Sequence, residues 1–362
     1  MGKALDKLTI KGFKSIKSLE GFELKKLNIM IGGNGAGKSN FVDVFRMLRA
    51  MVDENFATFI KSRGGADDFL FNGPKYTTRI KIELKLKKHF EYACSLLPAV
   101  SENFIIEKEV FGAHTFISGS TESNLIAAKN DKSSIEQEDD ERLYQLISNF
   151  TVYHFHDTSA TAPMRRSEIT ADNVRLRSDA SNIAPFLLEL RGNTPKAYAE
   201  IVEAIKLVTP FFDDFILKPK KNGEKEKVNL SWKQKGSDYP MQPYHFSDGT
   251  IRFICLATAL LQPNLPSTII IDEPELGLHP YAIEILAELI KAASQKTQVV
   301  ISTQSPALID NFNPEDIIVV NRENGESTFK RLDAKELSHW LEEYSLGELW
   351  RKNIVTGGPV RE

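Results

Sequence analysis

The opening segment of the chain alternates apolar and polar residues and then runs into a mainly apolar stretch. KLTIKGFKSIKSLEGFELKKLNIMIGG holds two alternating runs, as expected of strands with one solvated face, followed by the mainly apolar residues 27–31 and a pair of glycines. After the glycines, apolar residues return at helical spacing between Phe41 and Val52. The pattern predicts strands, a glycine loop and a helix, in that order.

The middle of the chain predicts a β-rich region followed by a helical one. Short alternating runs between residues 77 and 116 indicate antiparallel strands. Helical spacing between residues 181 and 208, interrupted by RGNTP, indicates two helices and a turn. The run FDDFILKPKKNGEKEKVNLSWKQ then predicts a lysine-rich hairpin that turns at Asn222 and Gly223.

The last third of the chain alternates helices and strands. A helix that is apolar nearly all round is predicted over residues 251–261, followed by the strand STIIIDEP, a helix over residues 281–293, and the strands TQVVISTQSP and DIIVVNREN. An aromatic-rich helical stretch between Trp340 and Trp350 precedes the loose end TGGPVRE. Because strand, helix and strand alternate in this way in parallel sheets with crossover helices, we expect an α/β fold.

Composition narrows the class of protein. The 362 residues, 41% of them hydrophobic and 26% charged, suffice for one large domain or two ordinary ones. No apolar run approaches the roughly 20 residues that span a bilayer, and the start lacks the apolar core of a secretory signal, so we expect a cytoplasmic protein with no membrane partner. Cys94 and Cys255 are predicted core residues in a reducing compartment. With a net charge of −3, any DNA contact must come from a local basic patch.

The segment GGNGAGKS, residues 32–39, matches every fixed position of the phosphate-binding pattern G-x-x-x-x-G-K-[ST]. Glycines let the backbone N–H groups curl around phosphates at a helix N-terminus. Lys38 is expected to neutralise the β- and γ-phosphate oxygens, and Ser39 is expected to ligate Mg²⁺ through its hydroxyl. The predicted nucleotide-binding residues here are Gly32, Gly33, Asn34, Gly35, Ala36, Gly37, Lys38, Ser39 and Asn40.

Two further segments supply chemistry that this loop lacks. TIIIDEP reads as a buried strand ending in Asp272, whose carboxylate we expect beside Mg²⁺ and its waters, and in Glu273, the expected general base. HFSDGTIRF places Ser247, Asp248 and Gly249 at the start of a helix. From local sequence alone these three residues fit either an ordinary helix cap or an anion site.

Together, GGNGAGKS, FSDGT and IIIDEPELGLHP resemble the motifs of ABC-type ATPases of the RecF, SMC and OLD group, and in particular those of stand-alone predicted AAA-type ATPases of bacteria. The resemblance runs from LTIKGFKSIKS to the tryptophan-rich end. It implies an ABC-type P-loop ATPase head with a mainly parallel core sheet, an antiparallel β-rich lobe and a helical signature lobe. It also implies hydrolysis of ATP with Mg²⁺ as cofactor.

The same resemblance implies a head-to-tail homodimer. In that group SDG is similar to a shortened signature motif that binds the γ-phosphate of ATP held by the opposite subunit, and residues 275–280 are similar to the D-loop, which contacts the partner's site. The cycle of binding and hydrolysis is then expected to serve a DNA-related process, namely repair or defence against phages. DNA and a separate effector protein are the further partners that this comparison implies.

On this basis we treat residues 1–362 as one ABC-type ATPase unit with four parts. Residues 1–60 and 268–330 are expected to form the nucleotide-binding core, and residues 61–160 the β-rich lobe. Residues 161–267 are expected to form the helical signature lobe with the hairpin, and residues 331–362 a helical tail.

The chain departs from the family pattern in two places. ISTQSP puts Gln304 where a histidine that senses the γ-phosphate is common, and a glutamine can hydrogen-bond phosphate or water but cannot become a cation near neutral pH. Gln304 is nevertheless our candidate catalytic residue at this position. No clear Q-loop glutamine is present, and residues 152–160, VYHFHDTSA, are the best candidate for that region.

Several smaller features keep two interpretations open. His154, His156 and Asp157 have a spacing that suits zinc, but it also suits a polar strand end near the nucleotide or a structural role. The arginines at positions 165, 166, 175 and 177 fit either phosphate contacts or a solvated surface. The lysines between residues 218 and 227 fit either a soluble hairpin tip or a contact with phosphates or an acidic partner.

Three other functions compete with this one. In a regulatory module, ATP binding would control a separate effector such as a nuclease, and hydrolysis would be incidental. A transporter ATPase subunit is expected to carry its signature at roughly half this distance from the phosphate loop, by comparison with that family. A nuclease of the OLD type needs an acidic catalytic domain after the switch region, and only a short segment follows Gln304.

Overall fold

The computed structural model describes residues 5–86, 90–112, 114–130 and 137–355, so the end of the predicted tail, residues 356–362, lies outside the described residues. The strands of this part of the chain are β1 (Lys7–Phe13), β2 (Ile16–Glu23), β3 (Leu27–Ile31), β4 (Ile80–Leu86), β5 (Phe90–Pro98), β6 (Phe104–Phe111), β7 (His114–Phe116), β8 (Phe150–Tyr153), β9 (Glu168–Ile169), β10 (Phe212–Ile216), β11 (Lys220–Asn222), β12 (Lys225–Val228), β13 (Ser231–Gln234), β14 (Pro240–Met241), β15 (Thr268–Asp272), β16 (Gln298–Thr303), β17 (Ile317–Glu323) and β18 (Glu326–Arg331).

The helices are of ordinary length for a globular chain. They are α1 (Lys38–Val52), α2 (Phe56–Lys61), α3 (Leu125–Asn130), α4 (Gln137–Ser148), α5 (Ile183–Asn193), α6 (Pro195–Val208), α7 (Asp248–Leu261), α8 (Pro280–Lys296), α9 (Pro306–Ile309), α10 (Ala334–Leu341) and α11 (Leu346–Arg351). Among the helices of the described residues, none has the length and apolar character that crossing a membrane requires.

The chain forms two compact units. The first contains Met1–Val152, Pro266–Ile270 and Thr297–Glu362, and the second contains Tyr153–Leu265 and Ile271–Lys296. Each unit is therefore assembled from segments that are distant in sequence.

The first unit contains an antiparallel sheet with the strand order β2-β1-β4-β5-β6-β7. In β4, Ile80, Ile82 and Leu84 are buried and alternate with the exposed Lys81 and Lys85, as a sheet with one solvated face requires. The antiparallel strands expected between residues 77 and 116 are confirmed. The sheet also includes β1 and β2, which precede the glycine loop, because β1 pairs with β4.

The second sheet that runs through this unit has the order β18-β17-β3-β16-β15-β8. β3 pairs in parallel with both β16 and β17, and every residue of β3 and β16 is buried, so the predicted parallel sheet is confirmed. β17 and β18 form an antiparallel hairpin in which Glu323 lies opposite Glu326. The two turn residues, Asn324 and Gly325, both have positive φ, as a tight Asn-Gly hairpin turn needs.

Helix α1 packs its apolar face into the core of the first unit. Phe41, Phe45 and Leu48 are fully buried there together with Ile10 and Ile82 of the antiparallel sheet. The rings of Phe45 and Phe150 meet edge to face with centroids 5.3 Å apart, a geometry that contributes about 1 kcal/mol beyond the burial itself. This packing fixes the helix that begins at the glycine loop.

In the second unit, helix α7 is enclosed on all sides. Residues 251–260 are all buried, and α6 and α8 both pack against this helix. At its N-terminal end, Phe246 stacks on Trp232 with centroids 4.7 Å apart and planes inclined by 15°. The predicted apolar helix and the two helices before it, α5 and α6, are confirmed.

The lysine-rich hairpin of the second unit consists of β11 and β12, and Asn222 lies opposite Lys225. The turn therefore lies at Gly223 and Glu224, one residue later than the sequence predicted, because Gly223 supplies the positive φ of 65°. The flanking strands β10 and β13 pair with each other in a separate sheet.

Candidate functional site

Strand β3 leads into the glycine loop, which we define as residues 32–37. A Cβ on Gly32 would lie 2.3 Å from the carbonyl oxygen of Val320, so no side chain fits there. Gly37 has a φ of 113° and is the N-cap residue of α1. The close approach at Gly32 and the left-handed backbone at Gly37 explain why the loop requires glycine at these two positions.

Lys38 directs its ammonium group back over the loop. Its Nζ donates hydrogen bonds to the carbonyl oxygens of Gly32 at 2.7 Å and Gly33 at 3.2 Å, and the residue is only 6% exposed. Asn34 and Gly35 of the loop and Ser39 of the first helical turn are exposed. An anion such as a phosphate fits at this place, because it offers positive charge, backbone amides and the N-terminus of a 15-residue helix.

A buried serine network holds the glycine loop at the carbonyl group of Ala36. We define it as Ser15, Ser327, Asn40 and the carbonyl group of Ala36. Ser327 Oγ donates to the Ala36 carbonyl oxygen at 2.6 Å and lies 2.6 Å from Ser15 Oγ, which accepts from Asn40 Nδ2 at 2.7 Å. Sequence reasoning placed Asn40 in the site and missed both serines. The Asn-Gly turn at residues 324–325 is a signal that could have revealed the strand carrying Ser327.

Gln304 directly follows β16 at the same sheet edge as the glycine loop. β16 runs parallel to β3, and Thr303 lies opposite Ile31, so Gln304 and Gly32 leave neighbouring strands at equivalent positions. Gln304 is half-buried. Its neutral amide can donate and accept hydrogen bonds at this edge.

The acidic pair lies in the second unit. Asp272 is the last residue of β15 and is buried, and Glu273, which follows it, is half-buried with a φ of 45°. A positive φ is uncommon for a residue with a side chain and indicates a constrained backbone. His156 Nε2 lies 2.9 Å from the carbonyl oxygen of Asp272, so this imidazole contacts the peptide bond that joins the two acids.

Ser247 and Asp248 lie at the N-terminus of α7 and are both exposed. Ser247 Oγ accepts a hydrogen bond from the Thr250 backbone N–H at 3.1 Å, as an N-cap residue does. Asp248 Oδ1 lies 3.0 Å from the guanidinium of Arg165. A Cβ on Gly249 would lie 2.5 Å from the carbonyl oxygen of Gly277.

Arg252 holds three segments of the second unit together. Its Nε and one terminal nitrogen donate to the carbonyl oxygens of Phe155 and His156, each at 2.9 Å, and its other terminal nitrogen donates to the carbonyl oxygen of Leu276. The residue is 4% exposed, and this burial lowers the pKa of the guanidinium. Sequence reasoning missed Arg252, although a charged residue within an otherwise apolar helix is a visible signal.

Among the smaller candidates, Arg165 contacts backbone carbonyl groups of its own unit. Arg165 is nearly buried and donates to the carbonyl oxygens of Thr158, Pro243 and Phe246. The rings of His154 and His156 lie 4.1 Å apart, but within the described ranges no group of three or more His, Cys, Asp and Glu side chains has the geometry of a metal site.

Both cysteines are buried, as predicted for core residues. Burial is the main reason why the pKa of the Cys94 thiol rises to about 12.

The predicted residues thus fall into two groups, one in each unit. The first unit brings together the glycine loop, Lys38, Ser39, Asn40 and Gln304. The second unit contains Asp272 and Glu273, with Ser247, Asp248 and Gly249 at the start of α7. Within the second group, the Gly249–Gly277 approach and Arg252 connect α7 to the segment that follows the acidic pair.

The sequence matches one family model. It is described as "AAA domain, putative AbiEii toxin, Type IV TA system" and covers residues 121–310, more than half of the 362 residues. No curated protein matches the sequence.

The fold matches crystal structures of SMC heads. The SmcHead bound to the C-winged helix domain of ScpA superposes with a TM-score of 0.62 at 15% identity, over 93% of this chain and 99% of that chain. A Pyrococcus furiosus Smc head domain with an extended coiled coil, bound to the C-terminal domain of ScpA, gives a TM-score of 0.56 at 15% identity, over 94% of this chain and 99% of that chain. The expected α/β fold, with parallel strands in one sheet and a separate antiparallel sheet, is confirmed and matches the fold of SMC heads.

Proposed function

Since the chain belongs to the family of AAA domains whose model it matches, we propose that it binds Mg-ATP and hydrolyses it, as an ABC-type ATPase that closes head to tail into a dimer. The observation that carries this proposal is the glycine loop, with the backbone constraints at Gly32 and Gly37 and the buried Lys38 folded over it. Such a loop at the start of a helix is suited to phosphate groups.

The first unit supplies the phosphate-binding groups. Backbone N–H groups of residues 33–39 hold the phosphate oxygens, and the N-terminus of α1 adds favourable potential. Lys38 exchanges its hydrogen bonds to the loop carbonyls for bonds to the β- and γ-phosphate oxygens. Gln304, which leaves the strand next to β3, hydrogen-bonds the γ-phosphate or the attacking water.

The residues present fit a Mg²⁺ ion. Ser39 is exposed in the first turn of α1, and Asp272 ends β15 with a carboxylate; hydroxyl and carboxylate oxygens are ligands that Mg²⁺ prefers. When bound, Mg²⁺ would supply positive charge that neutralises the negative charge developing on the transferred phosphate. Ser39 and Asp272, the latter partly through water, are the residues that would hold it.

Glu273 acts as the general base. Its carboxylate accepts a proton from the attacking water and orients it toward the γ-phosphate. The contact of His156 with the Asp272 carbonyl oxygen and the positive φ of Glu273 support a carboxylate held in a defined direction. Pre-orientation of this kind lowers the barrier of the chemical step.

The dimer places the signature residues of one subunit on the ATP of the other. Ser247 and Asp248 are exposed at the N-terminus of a 14-residue helix, where a hydroxyl, backbone amides and the helix dipole can hold a γ-phosphate. Leu276 and Tyr281, on either side of the segment 277–280, are each 48% exposed. Apolar side chains exposed next to the signature support an interface with a second subunit.

The cycle of closure and reopening serves a DNA-related process, either repair or defence against phages, through DNA or a separate effector protein. With a net charge of −3, the chain can contact DNA only through a local basic patch. The exposed lysines of the β11–β12 hairpin provide such a patch. The family description, which names a type IV toxin–antitoxin system, and the SMC heads that bind ScpA domains are compatible with an effector partner.

A second candidate function is an ATP-binding regulatory module that controls an effector, with hydrolysis incidental. The observation that favours it is Gln304 at the sheet edge beside the glycine loop, because a neutral amide supplies no positive charge to the transition state. The two functions differ in turnover, not in ATP binding.

Binding of a fluorescent ATP analogue and release of phosphate, each with and without Mg²⁺, test the proposal. Wild-type protein is expected to bind the analogue, and to release phosphate from ATP only when Mg²⁺ is present. Lys38→Ala is expected to weaken binding roughly ten- to a hundredfold, because charge-assisted hydrogen bonds are lost. Lys61→Ala, an exposed lysine on α2, is the matched control and binds as wild type does. If the wild type does not bind the analogue, both candidate functions are wrong. If it binds but releases no phosphate, only the regulatory module remains.

A further inference from the structure

The serine network that contacts the glycine loop joins three segments that are far apart in sequence. Ser15 lies between β1 and β2, Asn40 lies in the first turn of α1, and Ser327 lies in β18. Ser15 and Ser327 are 7% and 2% exposed, and the backbone N–H of Ser327 also donates to the Ser15 carbonyl oxygen at 2.7 Å. The two hydroxyls are therefore fixed in position and shielded from water.

The chemistry of the four groups sets the direction of every hydrogen bond. A carbonyl oxygen only accepts, so Ser327 uses its one hydroxyl proton on Ala36. The 2.6 Å contact between the hydroxyls must then carry the proton of Ser15, and Ser15 in turn accepts from the Asn40 amide group. The result is a one-way chain from Asn40 through Ser15 and Ser327 to the Ala36 carbonyl oxygen, in which each bond polarises the next.

This chain sets the orientation of one peptide bond of the loop. The peptide between Ala36 and Gly37 is planar and trans, so its C=O and its N–H point in opposite directions. Because the Ala36 carbonyl oxygen is held by Ser327, the Gly37 N–H points away from the serines. The hydroxyl of Ser327 also fills the space beside Gly37, where a Cβ would lie only 2.0 Å from its Oγ.

We propose that Ser15 and Ser327 are positioning residues for the nucleotide: through the Ala36 carbonyl they aim the Gly37 N–H at a phosphate oxygen before ATP arrives. The inference rests on the proposed function and names a part of the site that the phosphate-binding pattern does not contain. It also assigns a role to the β17–β18 hairpin, which brings Ser327 to the loop.

ATP affinity of Ser327→Ala and Ser15→Ala tests the inference at a temperature at which all proteins are folded. Each variant is expected to weaken binding roughly five- to tenfold, since one hydrogen bond to the nucleotide loses its alignment. In turnover KM rises while kcat changes little, because the general base is not involved. Ser327→Thr, which keeps the hydroxyl, is expected to restore affinity.

Ser294→Ala is the matched control, because Ser294 is also a buried serine whose hydroxyl donates to a carbonyl oxygen, that of Lys291 in α8. It is expected to lower thermal stability as Ser327→Ala does and to leave ATP affinity unchanged. If Ser327→Ala and Ser15→Ala bind ATP as tightly as the wild type does, the serines are purely structural and the inference is wrong. Failure of the wild type to bind ATP defeats the proposed function itself and is seen in the same titration.

Discussion

Gly249 and Gly277 approach each other so closely that a Cβ on Gly249 would lie 2.5 Å from the Gly277 carbonyl oxygen. Gly249 belongs to the first turn of α7, and Gly277, with a φ of 73°, belongs to the segment that follows Glu273. The guanidinium of Arg252 lies against the same segment through its bond to Leu276. Within the second unit, a displacement at the start of α7 therefore displaces the segment that follows Glu273.

In Gly249→Ala, the added methyl group is expected to displace the segment that follows Glu273. Turnover should fall roughly a hundredfold, because a misplacement of about 1 Å is enough to do so. ATP binding to the isolated subunit is expected to stay unchanged, since the proposed phosphate-binding residues lie in the first unit. Gly192→Ala is the control, because Gly192 lies in helix α5 with open space around it. Equal turnover of Gly249→Ala and the wild type would show that the close approach has no part in the cycle.

Ser247→Arg tests whether the signature acts on the partner's nucleotide. The exposed position of Ser247 accommodates the larger side chain without disturbing the core, while the bulk blocks an approaching phosphate. Turnover is expected to drop about a hundredfold or more, as when a donor to a developing oxyanion is removed. ATP binding by the single subunit is retained, as measured by titration with a fluorescent analogue. Turnover that survives the substitution argues against the dimer.

The elements with strong periodicity were predictable from the sequence, because their burial is one-sided or complete. The strand before Gly32 and the helix over residues 251–261 are examples: one is mainly apolar and fully buried, and the other is apolar nearly all round and enclosed. The glycine loop was predictable because its backbone geometry permits few residue types.

The sequence did not reveal which side chains hydrogen-bond to backbone groups. Arg252 was visible as a charge in an apolar helix, but its acceptors are the carbonyl oxygens of Phe155, His156 and Leu276, which any residue type supplies. The same holds for Ser327 and the Ala36 carbonyl oxygen. Backbone acceptors leave no trace in sequence, so the residues that position a site are harder to predict than those that touch its ligand.

Asp43 of α1 makes the first unit sensitive to acid. Its carboxylate contacts Lys14 at 2.6 Å, Arg46 at 2.7 Å and Arg63 at 3.2 Å. Burial on its own would raise the pKa of Asp43, but the hydrogen bonds and charges of Lys14 and Arg46 together lower it. A carboxyl group whose pKa is lower in the folded state stabilises the fold above its unfolded pKa, about 3.9, and this stability is lost as the pH falls through the folded value.

Asp43→Asn is therefore expected to lower the melting temperature at pH 7 and to differ less from the wild type as the pH falls below about 4. Thermal melts between pH 3 and pH 7 measure the difference. Asp53→Asn, which alters a half-exposed ion pair with Arg49, is the control and should have little effect at any pH. A gap that widens on acidification would contradict the assignment.

The most direct test of the central claim, that this chain hydrolyses ATP in a closed dimer, is a comparison of Glu273→Gln with the wild type by phosphate release and by size exclusion with Mg-ATP. Glutamine keeps the shape of the side chain but cannot accept the proton of the attacking water, so turnover is expected to fall roughly a hundredfold or more. The variant is expected to retain ATP and to elute as a dimer, because closure precedes the chemical step. Turnover at the wild-type rate, or a monomer that holds ATP, would contradict the account.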